Sequence, residues 1–199
     1  MKIYGDLLSG NCLKVKYACD HLKLPYEWIQ IDAGTGRTRK PDFLELNPHA
    51  QVPELVLDDG RALRESNAIL RYLANATSLL PIDPVDQAEV DAWLFWEQYS
   101  HEPYVAVCRF QMKYLGKPVS EREPWRVDRA QSALDTLEAT LTQRDWLAAG
   151  QFSIADIALV AYTRLAPEGG FDLAAFSAVS SCTSRVETNF GIPALDPHV

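Results

Sequence analysis

The chain has 199 residues, a hydrophobic content of 47% and a formal net charge of −8 at pH 7. This length suits one large or two small globular domains, and the composition argues against a disordered chain because a sizeable core can be buried. The negative charge disfavours nucleic acids and anionic membrane surfaces as partners, since both are bound by clustered lysine and arginine side chains.

The first part of the chain predicts an α/β domain. Periodicity and turn residues indicate, in chain order, a strand at 2–5, a helix at 11–22, a strand at 26–31, a polar loop at 32–40, a short helix at 41–46, strands at 52–57 and 62–64, and a helix that begins at Ser66. Asp59-Gly60 has the composition of a hairpin turn between the last two strands. The predicted order β-α-β-α-β-β-α occupies residues 1–77.

The rest of the chain predicts an all-α domain at 86–199, preceded by a proline-rich linker at 78–85. Helices are predicted, in chain order, at 86–99, at 105–114 after Pro103 kinks or ends the preceding helix, at 122–144, and from Ser153 until Pro167. Because Ser153-Ile154-Ala155-Asp156 is an N-capping sequence, Ser153 and Asp156 are expected to stabilise the start of a helix and to take no part in chemistry.

The cysteines and the first residues favour a cytoplasmic protein without a metal. The four cysteines are too sparse and irregular for a disulfide framework, and no Cys-x-x-Cys pair or Cys/His cluster occurs in the sequence. Asp6 lies where a secretory segment would be apolar, and no run approaches the length of a membrane span. We therefore predict no metal site and a cytoplasmic location.

The segment with Val52, Pro53 and Ser66 indicates a site for a peptide-like ligand that carries a carboxylate. If Ser66 caps a helix, the amides of Asn67 and Ala68 lie at the positive end of the helix dipole and can meet an anion. A cis peptide bond before Pro53 would turn the backbone N–H and C=O of Val52 towards an extended ligand. Structural alternatives stay open, because Pro53 can simply start a strand and Ser66 can simply cap a helix.

Several motifs, widely separated along the chain, are informative together. They are Ser9-Gly10-Asn11-Cys12, Asn47-Pro48 before Gln51-Val52-Pro53, Gly60 with Glu65-Ser66-Asn67-Ala68-Ile69, and Phe152-Ser153-Ile154-Ala155-Asp156. In order and spacing the chain resembles the cytosolic glutathione transferases over nearly its whole length, with a bacterial-like Ser-Gly-Asn-Cys loop. This resemblance implies a thioredoxin-like domain that binds glutathione as a co-substrate, a helical domain that shapes the pocket of a small hydrophobic electrophile, and a homodimer.

The resemblance also implies how glutathione would be held. Glu65 and Ser66 would bind the γ-glutamyl end, and the backbone of Val52 would pair with the cysteinyl unit beside a cis Pro53. The candidates for the glycyl carboxylate are Lys40 and Gln51. Lys40 has an equally good interpretation as a solvated surface lysine.

The chemistry of such a protein requires a thiolate, whereas a free thiol with a pKa of about 8.5 is mostly protonated at neutral pH. Ser9 follows the first strand and precedes the first helix, so its hydroxyl and the helix N-terminus can stabilise the anion. Cys12 is the alternative, because some members of the resembled family use a cysteine there, which would favour thiol transfer through a mixed disulfide. We favour Ser9, with Asn11 as a supporting donor; as purely structural roles, Ser9 would cap the helix and Cys12 would be a small buried residue.

The electrophile pocket is expected between the two domains, as ligand clefts often are. Its candidate residues are Leu7, Leu8, Tyr104, Cys108 and Phe110. By contrast, Trp93, Trp96 and Tyr99 are expected in the core, and His101 is expected at the surface.

The predicted function is conjugation of glutathione to a small hydrophobic electrophile. Glutathione-dependent isomerisation, dehalogenation or thiol transfer at the same site are alternatives, as is a non-catalytic binding or interaction protein.

Overall fold

The computed structural model describes residues 1–192, and the chain divides into two compact units, Met1–Asn75 and a unit that begins at Ala76. The division falls close to the end of the first domain predicted at residue 77. Predicted residues 193–199 of the helical domain lie outside the described part of the chain.

The first unit is a mixed sheet with three α-helices, in the predicted order. Its elements are β1 (Lys2–Gly5), α1 (Gly10–His21), β2 (Glu27–Gln30), α2 (Pro41–Leu46), β3 (Glu54–Val56), β4 (Ala62–Leu63) and α3 (Ser66–Leu73). The sheet order is β2-β1-β3-β4, with β1 parallel to β2 and antiparallel to β3, and β3 antiparallel to β4. The predicted loop at 32–40 contains two short 3-10 turns, Ala33–Thr35 and Arg37–Arg39.

The core of the first unit holds the sheet against two helices. Ile3 on β1 and Leu55 on β3 are adjacent in the antiparallel register and are both 0% exposed. Val15 of α1 and Ile69 of α3 are equally buried, and these two helices pack against each other. Burial of such aliphatic side chains stabilises a fold by about 1.5–3 kcal/mol each. This core fixes the ends of the strands from which three connections start: the loop between β1 and α1, the segment before β3, and the junction of β4 with α3.

The second unit is helical. Its elements are α4 (Pro84–Trp96), a π-helical turn (Glu97–His101), α5 (Glu102–Arg109), a second π-helical turn (Phe110–Tyr114), α6 (Pro124–Leu141), α7 (Ile154–Thr163) and α8 (Ser177–Phe190). Among residues 76–192 the only β feature is an isolated bridge between Ala148 and Gln151. The predicted fold class, an α/β thioredoxin-like domain followed by an all-α domain, is confirmed.

The sequence did not predict α8, which is rich in serine and threonine. These residues have modest helix propensity, because their hydroxyls compete for backbone groups. In α8 the hydroxyl of Ser181 donates to the Ser177 carbonyl at 2.8 Å, within the helix. Val179, Cys182 and Val186 are buried along one side, so packing of this stripe decides the conformation.

The start of α7 is capped as predicted. Ser153 is the N-cap, its hydroxyl accepts from the Ala155 amide at 3.2 Å, and Asp156 accepts from the Ser153 amide at 2.9 Å. Asp156 also accepts from the amide of Leu147 at 2.9 Å, which ties the preceding loop to the helix. The predicted structural role of the capping box is confirmed.

Candidate functional site

The loop between β1 and α1 presents the hydroxyl of Ser9 at a helix N-terminus. Ser9 is the N-cap residue of α1 by backbone conformation, but its side chain makes no capping hydrogen bond. Its backbone amide donates to the Asp6 carbonyl at 3.0 Å, which closes the turn. Capping of the helix by the Ser9 side chain is therefore wrong, and the hydroxyl is not consumed by the backbone amides of α1.

Cys12 is a buried thiol and not a thiolate. Its side chain is 0% exposed, and burial raises the pKa of this thiol to about 11, although hydrogen bonds from the Asp6 backbone and the Ser9 side chain act in the opposite direction. A thiol with this pKa is protonated at neutral pH and is a poor nucleophile.

Asn11 connects this loop to the start of α3. Its Oδ1 accepts from the Ser66 hydroxyl at 2.9 Å and from Lys14 Nζ at 2.8 Å. Residues 55 positions apart in sequence are thus joined through one side-chain amide. The sequence analysis selected Asn11 and Ser66 but missed Lys14. Its spacing could have indicated it, because residues three positions apart on a helix lie side by side.

The start of α3 differs from the prediction. Glu65 is the N-cap by position, with φ 66° and ψ 113°, and Ser66 is the first helical residue. The prediction that Ser66 caps the helix is therefore wrong, because its hydroxyl donates to Asn11 and the helix begins one residue earlier than a Ser66 cap requires. Glu65 is exposed whereas Ser66 is buried, so the two side chains have different surroundings.

The peptide bond between Val52 and Pro53 is cis, as predicted. Asn47, which is 2% exposed, shapes the chain before it: its Nδ2 donates to the Gln51 carbonyl at 2.9 Å, and its Oδ1 accepts from the His49 amide at 2.9 Å. These bonds hold the approach to Val52 in a defined turn. The side chain of Gln51 itself is exposed.

An ion pair between the buried Glu54 and the partly exposed Arg64 connects the start of β3 to the residue after β4, the two strands that follow this segment. Arg64 Nη2 donates to Glu54 Oε1 at 3.1 Å and to the Leu46 carbonyl at 2.7 Å. Glu54 is 0% exposed, and burial raises its pKa even though the charge of Arg64 acts to lower it. The pair fixes the end of β4 against β3, immediately before Glu65. Sequence reasoning did not identify Glu54 or Arg64, since neither belongs to a motif.

The backbone of Glu65 is strained, which leads to a stability prediction. A side chain other than glycine in this positive-φ region costs about 1–3 kcal/mol. Glu65→Gly should relieve that strain at an entropic cost of about 0.5–1 kcal/mol, so we expect the free energy of unfolding to rise by about 1 kcal/mol in urea titrations. Glu45→Gly in α2 is the matched control and should lower it by about 1 kcal/mol. Equal losses in both variants would contradict the presence of strain.

The remaining predicted residues lie in different environments. Lys40 is exposed and precedes α2, and Leu7 and Leu8 are exposed in the loop after β1. In the helical unit Phe110 is exposed, whereas Cys108 is 0% exposed and offers a ligand no contact area in this conformation. Their assignment to the glycyl site and the electrophile pocket stays a prediction.

Tyr104 lines a cavity of about 250 Å³ within the helical unit. The cavity is formed by Trp96, Tyr99, Ser100, Tyr104, Arg129, Ser132, Ala133 and Thr136. Tyr99 is 80% exposed, so the expectation that it belongs to the core is wrong. The π-helical turn shifts the register of the helix at this point and carries Tyr99 to the surface.

The same turn buries His101, which the sequence placed at the surface. His101 is 0% exposed, and its Nε2 lies 3.1 Å from the Thr163 hydroxyl. Because that hydroxyl donates to the Leu159 carbonyl at 2.7 Å, Nε2 is the donor in the contact with Thr163. His101 thus has a structural role that joins the turn to α7.

Residues 1–192 contain neither a metal-binding cluster nor a helix suited to span a membrane. Within this range no group of three or more His, Cys, Asp or Glu side chains is arranged to hold a metal ion. None of the helices described there combines the length and the apolar character that crossing a membrane requires.

A thioredoxin-like unit followed by an all-helical unit defines the glutathione transferase class of fold. The family model described as the N-terminal domain of glutathione S-transferases matches residues 8–76, and that of the C-terminal domain matches residues 97–179. The chain belongs to the glutathione S-transferase family.

Individual relatives agree with this membership. Glutathione S-transferase 3 of Zea mays is 33% identical over 165 residues, which cover 78% of this chain and 73% of that protein. The disulfide-bond oxidoreductase YfcG of Escherichia coli is 29% identical over 191 residues, covering 90% of this chain and 87% of that protein. The crystal structure of a glutathione S-transferase from Pseudomonas fluorescens has a TM-score of 0.92 and 45% identity, and covers 98% of both chains.

Proposed function

We propose that this protein is a glutathione transferase that joins the sulfur of glutathione to a small hydrophobic electrophile. The observation that carries the proposal is the Ser9 hydroxyl at the N-terminus of α1, which makes no capping hydrogen bond. It is accompanied in the same loop by a Cys12 thiol that is buried and protonated. This combination supports a serine as the group that stabilises the thiolate. Family membership supports glutathione as the co-substrate.

Glutathione would lie along the edge formed by the cis peptide and the start of α3. The Val52 backbone pairs with the cysteinyl unit, while Glu65 and Ser66 hold the γ-glutamyl end. The ion pair between the buried Glu54 and the partly exposed Arg64 supports this edge, because it holds β3 and the residue before Glu65 together. For the glycyl carboxylate, Lys40 and the exposed Gln51 are the proposed partners.

The reaction begins when the bound thiol releases its proton to solvent. Lowering the thiol pKa by two units requires about 2.7 kcal/mol of preferential stabilisation of the anion. A hydroxyl donor contributes about 1.5–3 kcal/mol to a charged acceptor, and the positive end of α1 adds about 0.3–1 kcal/mol. Together these interactions suffice. The sulfur lone pair then attacks the electrophile, a carbon–sulfur bond forms, and the leaving group departs with its electron pair.

Thiol–disulfide exchange is the second candidate, because the relative from Escherichia coli is named a disulfide-bond oxidoreductase. The burial of Cys12 bears on its mechanism. A protonated Cys12 thiol would not attack a disulfide, so the attacking sulfur would be that of bound glutathione. Both candidate functions therefore depend on the same thiolate.

A binding and turnover assay tests the proposal. We expect calorimetry to show binding of glutathione, and Glu65→Gln or Ser66→Ala to weaken it about tenfold, which corresponds to about 1.4 kcal/mol of lost contacts. Glu45→Gln on the exposed side of α2 is the control and should not change the affinity. The rate at which a generic aromatic electrophile is conjugated should then increase with the fraction of the protein that has glutathione bound.

Two results would oppose this proposal in different ways. Binding without conjugation or disulfide exchange would favour a non-catalytic interaction protein. Absence of glutathione binding would reject the proposed site altogether. The homodimer and the cytoplasmic location remain predictions that size-exclusion chromatography and cell fractionation would test.

A further inference from the structure

Lys14 is a buried lysine that the proposed chemistry does not yet use. Its side chain is 0% exposed, and its Nζ donates to Asn11 Oδ1 at 2.8 Å. Burying an ammonium group is costly unless hydrogen bonds compensate for lost water. Its positive charge is also among the influences that lower the pKa of the Cys12 thiol, which burial raises more strongly. A buried cation therefore lies close to the proposed reactive loop.

The bond from Lys14 determines the orientation of the Asn11 amide. An ammonium group only donates, and Oδ1 is the only acceptor in an asparagine side chain. The Ser66 hydroxyl lies 2.9 Å from the same Oδ1 and donates to it as well. A 180° flip of the amide would place the Nδ2 hydrogens against the ammonium hydrogens of Lys14. The amide thus has one orientation, with Nδ2 on the branch away from Lys14.

Asn11 is well placed for this orientation to matter. It lies in the first turn of α1, two residues after Ser9 and directly before Cys12, and it is only partly buried. Its Oδ1 accepts from two donors, so the side chain can meet an acceptor only through its Nδ2 hydrogens. A thiolate is an acceptor without a proton of its own and is stabilised by such donors.

We propose that Lys14 is a positioning residue that fixes the Asn11 amide so that Nδ2 donates to the sulfur of bound glutathione, alongside the Ser9 hydroxyl. This inference rests on the proposed function. The thiol proton leaves to solvent, the sulfur keeps its electron pair, and that pair accepts both hydrogen bonds. Lys14 itself touches neither glutathione nor the electrophile.

The test is the pKa of bound glutathione, followed by the ultraviolet absorbance of the thiolate as pH is varied. Lys14→Met removes the donor and keeps a straight side chain, and we expect it to raise that pKa by about one unit, the effect of losing one hydrogen bond to a charged acceptor. The affinity for S-methylglutathione, which has no thiol, should not change. Lys16→Met removes a partly buried lysine of the same helix, which is paired with Asp20, and should leave the pKa unchanged.

A double variant separates positioning from a direct effect of charge. If Lys14 acts through Asn11, then Lys14→Met causes no further change of the thiolate pKa in an Asn11→Ala background. The same change in both backgrounds would overturn the proposal, because the charge of Lys14 would then act on the sulfur directly. An unchanged thiolate pKa in Lys14→Met alone would overturn it as well.

A measurement on the wild-type protein covers the case in which Lys14→Met does not fold. The side-chain amide signals of Asn11, assigned by comparison with Asn11→Ala in NMR spectra, should titrate with the thiolate of bound glutathione. They should not titrate in the complex with S-methylglutathione, and equal behaviour in both complexes would overturn the proposal. Failure of the proposed function would look different, since the wild-type protein would then bind neither compound, and the role of Lys14 would be rejected with it.

Discussion

Ser9→Ala is expected to raise the pKa of bound glutathione by about one to two units, because a hydroxyl donor to a charged acceptor contributes about 1.5–3 kcal/mol. At a pH below the wild-type pKa, the rate of conjugation should fall about tenfold for each unit by which the pKa rises, since the thiolate fraction falls by that factor. Thiolate absorbance gives the pKa, and initial rates at saturating glutathione give the rate. The affinity for S-methylglutathione should be unchanged, since the lost interaction exists only with the thiolate.

Cys12→Ala is the comparison that discriminates between the two candidate groups. Since the Cys12 thiol is buried and its pKa is raised to about 11, we expect its removal to leave the thiolate pKa of glutathione unchanged. A small loss of stability is expected from the cavity left by the sulfur. If Cys12→Ala abolished activity while Ser9→Ala retained the wild-type pKa, the choice of Ser9 would be wrong.

Asp156→Ala is expected to lower the free energy of unfolding by about 2 kcal/mol. It leaves the amides of Leu147 and Ser153 buried without their acceptor, and such a loss costs about 1–3 kcal/mol for each group. Removal of a buried carboxylate offsets part of this cost at neutral pH. Urea unfolding measures the effect, and Asp145→Ala, at an exposed position in the same unit, is the control. Wild-type stability with lost activity would contradict a structural role.

The pH dependence of stability provides a second readout for Asp156. Burial raises the pKa of this carboxyl to about 6, above its ordinary value of 3.8, in spite of the amides that donate to it. A raised pKa in the folded state stabilises the fold fully below about pH 4, and this contribution is lost as pH rises through about 6. Asp156→Asn lacks this titration, so its stability deficit relative to wild type should be largest near pH 4 and smaller at pH 7. A constant deficit across this range would contradict the raised pKa.

Local sequence signals were enough for most of the fold. The strand at Lys2–Gly5 and the helix at Pro41–Leu46 have the predicted bounds, because apolar patterning and a proline at the helix start act over a few residues. The capping box at Ser153 was predicted for the same reason. The helix at Ser177–Phe190 was not, since its serines and threonines give little local preference and its buried stripe acts only after packing.

The candidate site was predictable only in part. Motif residues such as Val52 and Ser66 could be selected from their positions in the chain, and the cis bond before Pro53 was expected. The chemistry of their surroundings was not accessible, because it depends on burial. The sequence could not tell that Cys12 is a protonated thiol, or that the π-helical turn turns Tyr99 outward and His101 inward.

The amino-acid sequence by itself determined the class of this protein: the order of strands and helices in the first unit, and the succession of a thioredoxin-like and a helical part. It also supplied the segments that we propose to hold glutathione. These properties follow from short-range patterns and from motifs that can be recognised without a structure. The tertiary structure decided that the Cys12 thiol is buried and that the Ser9 hydroxyl makes no capping hydrogen bond. It also joined Asn11, Lys14 and Ser66 into one hydrogen-bonded group. The physical reason is that solvation and hydrogen bonding between residues distant in sequence set the state of a thiol, and both arise only when the chain is folded.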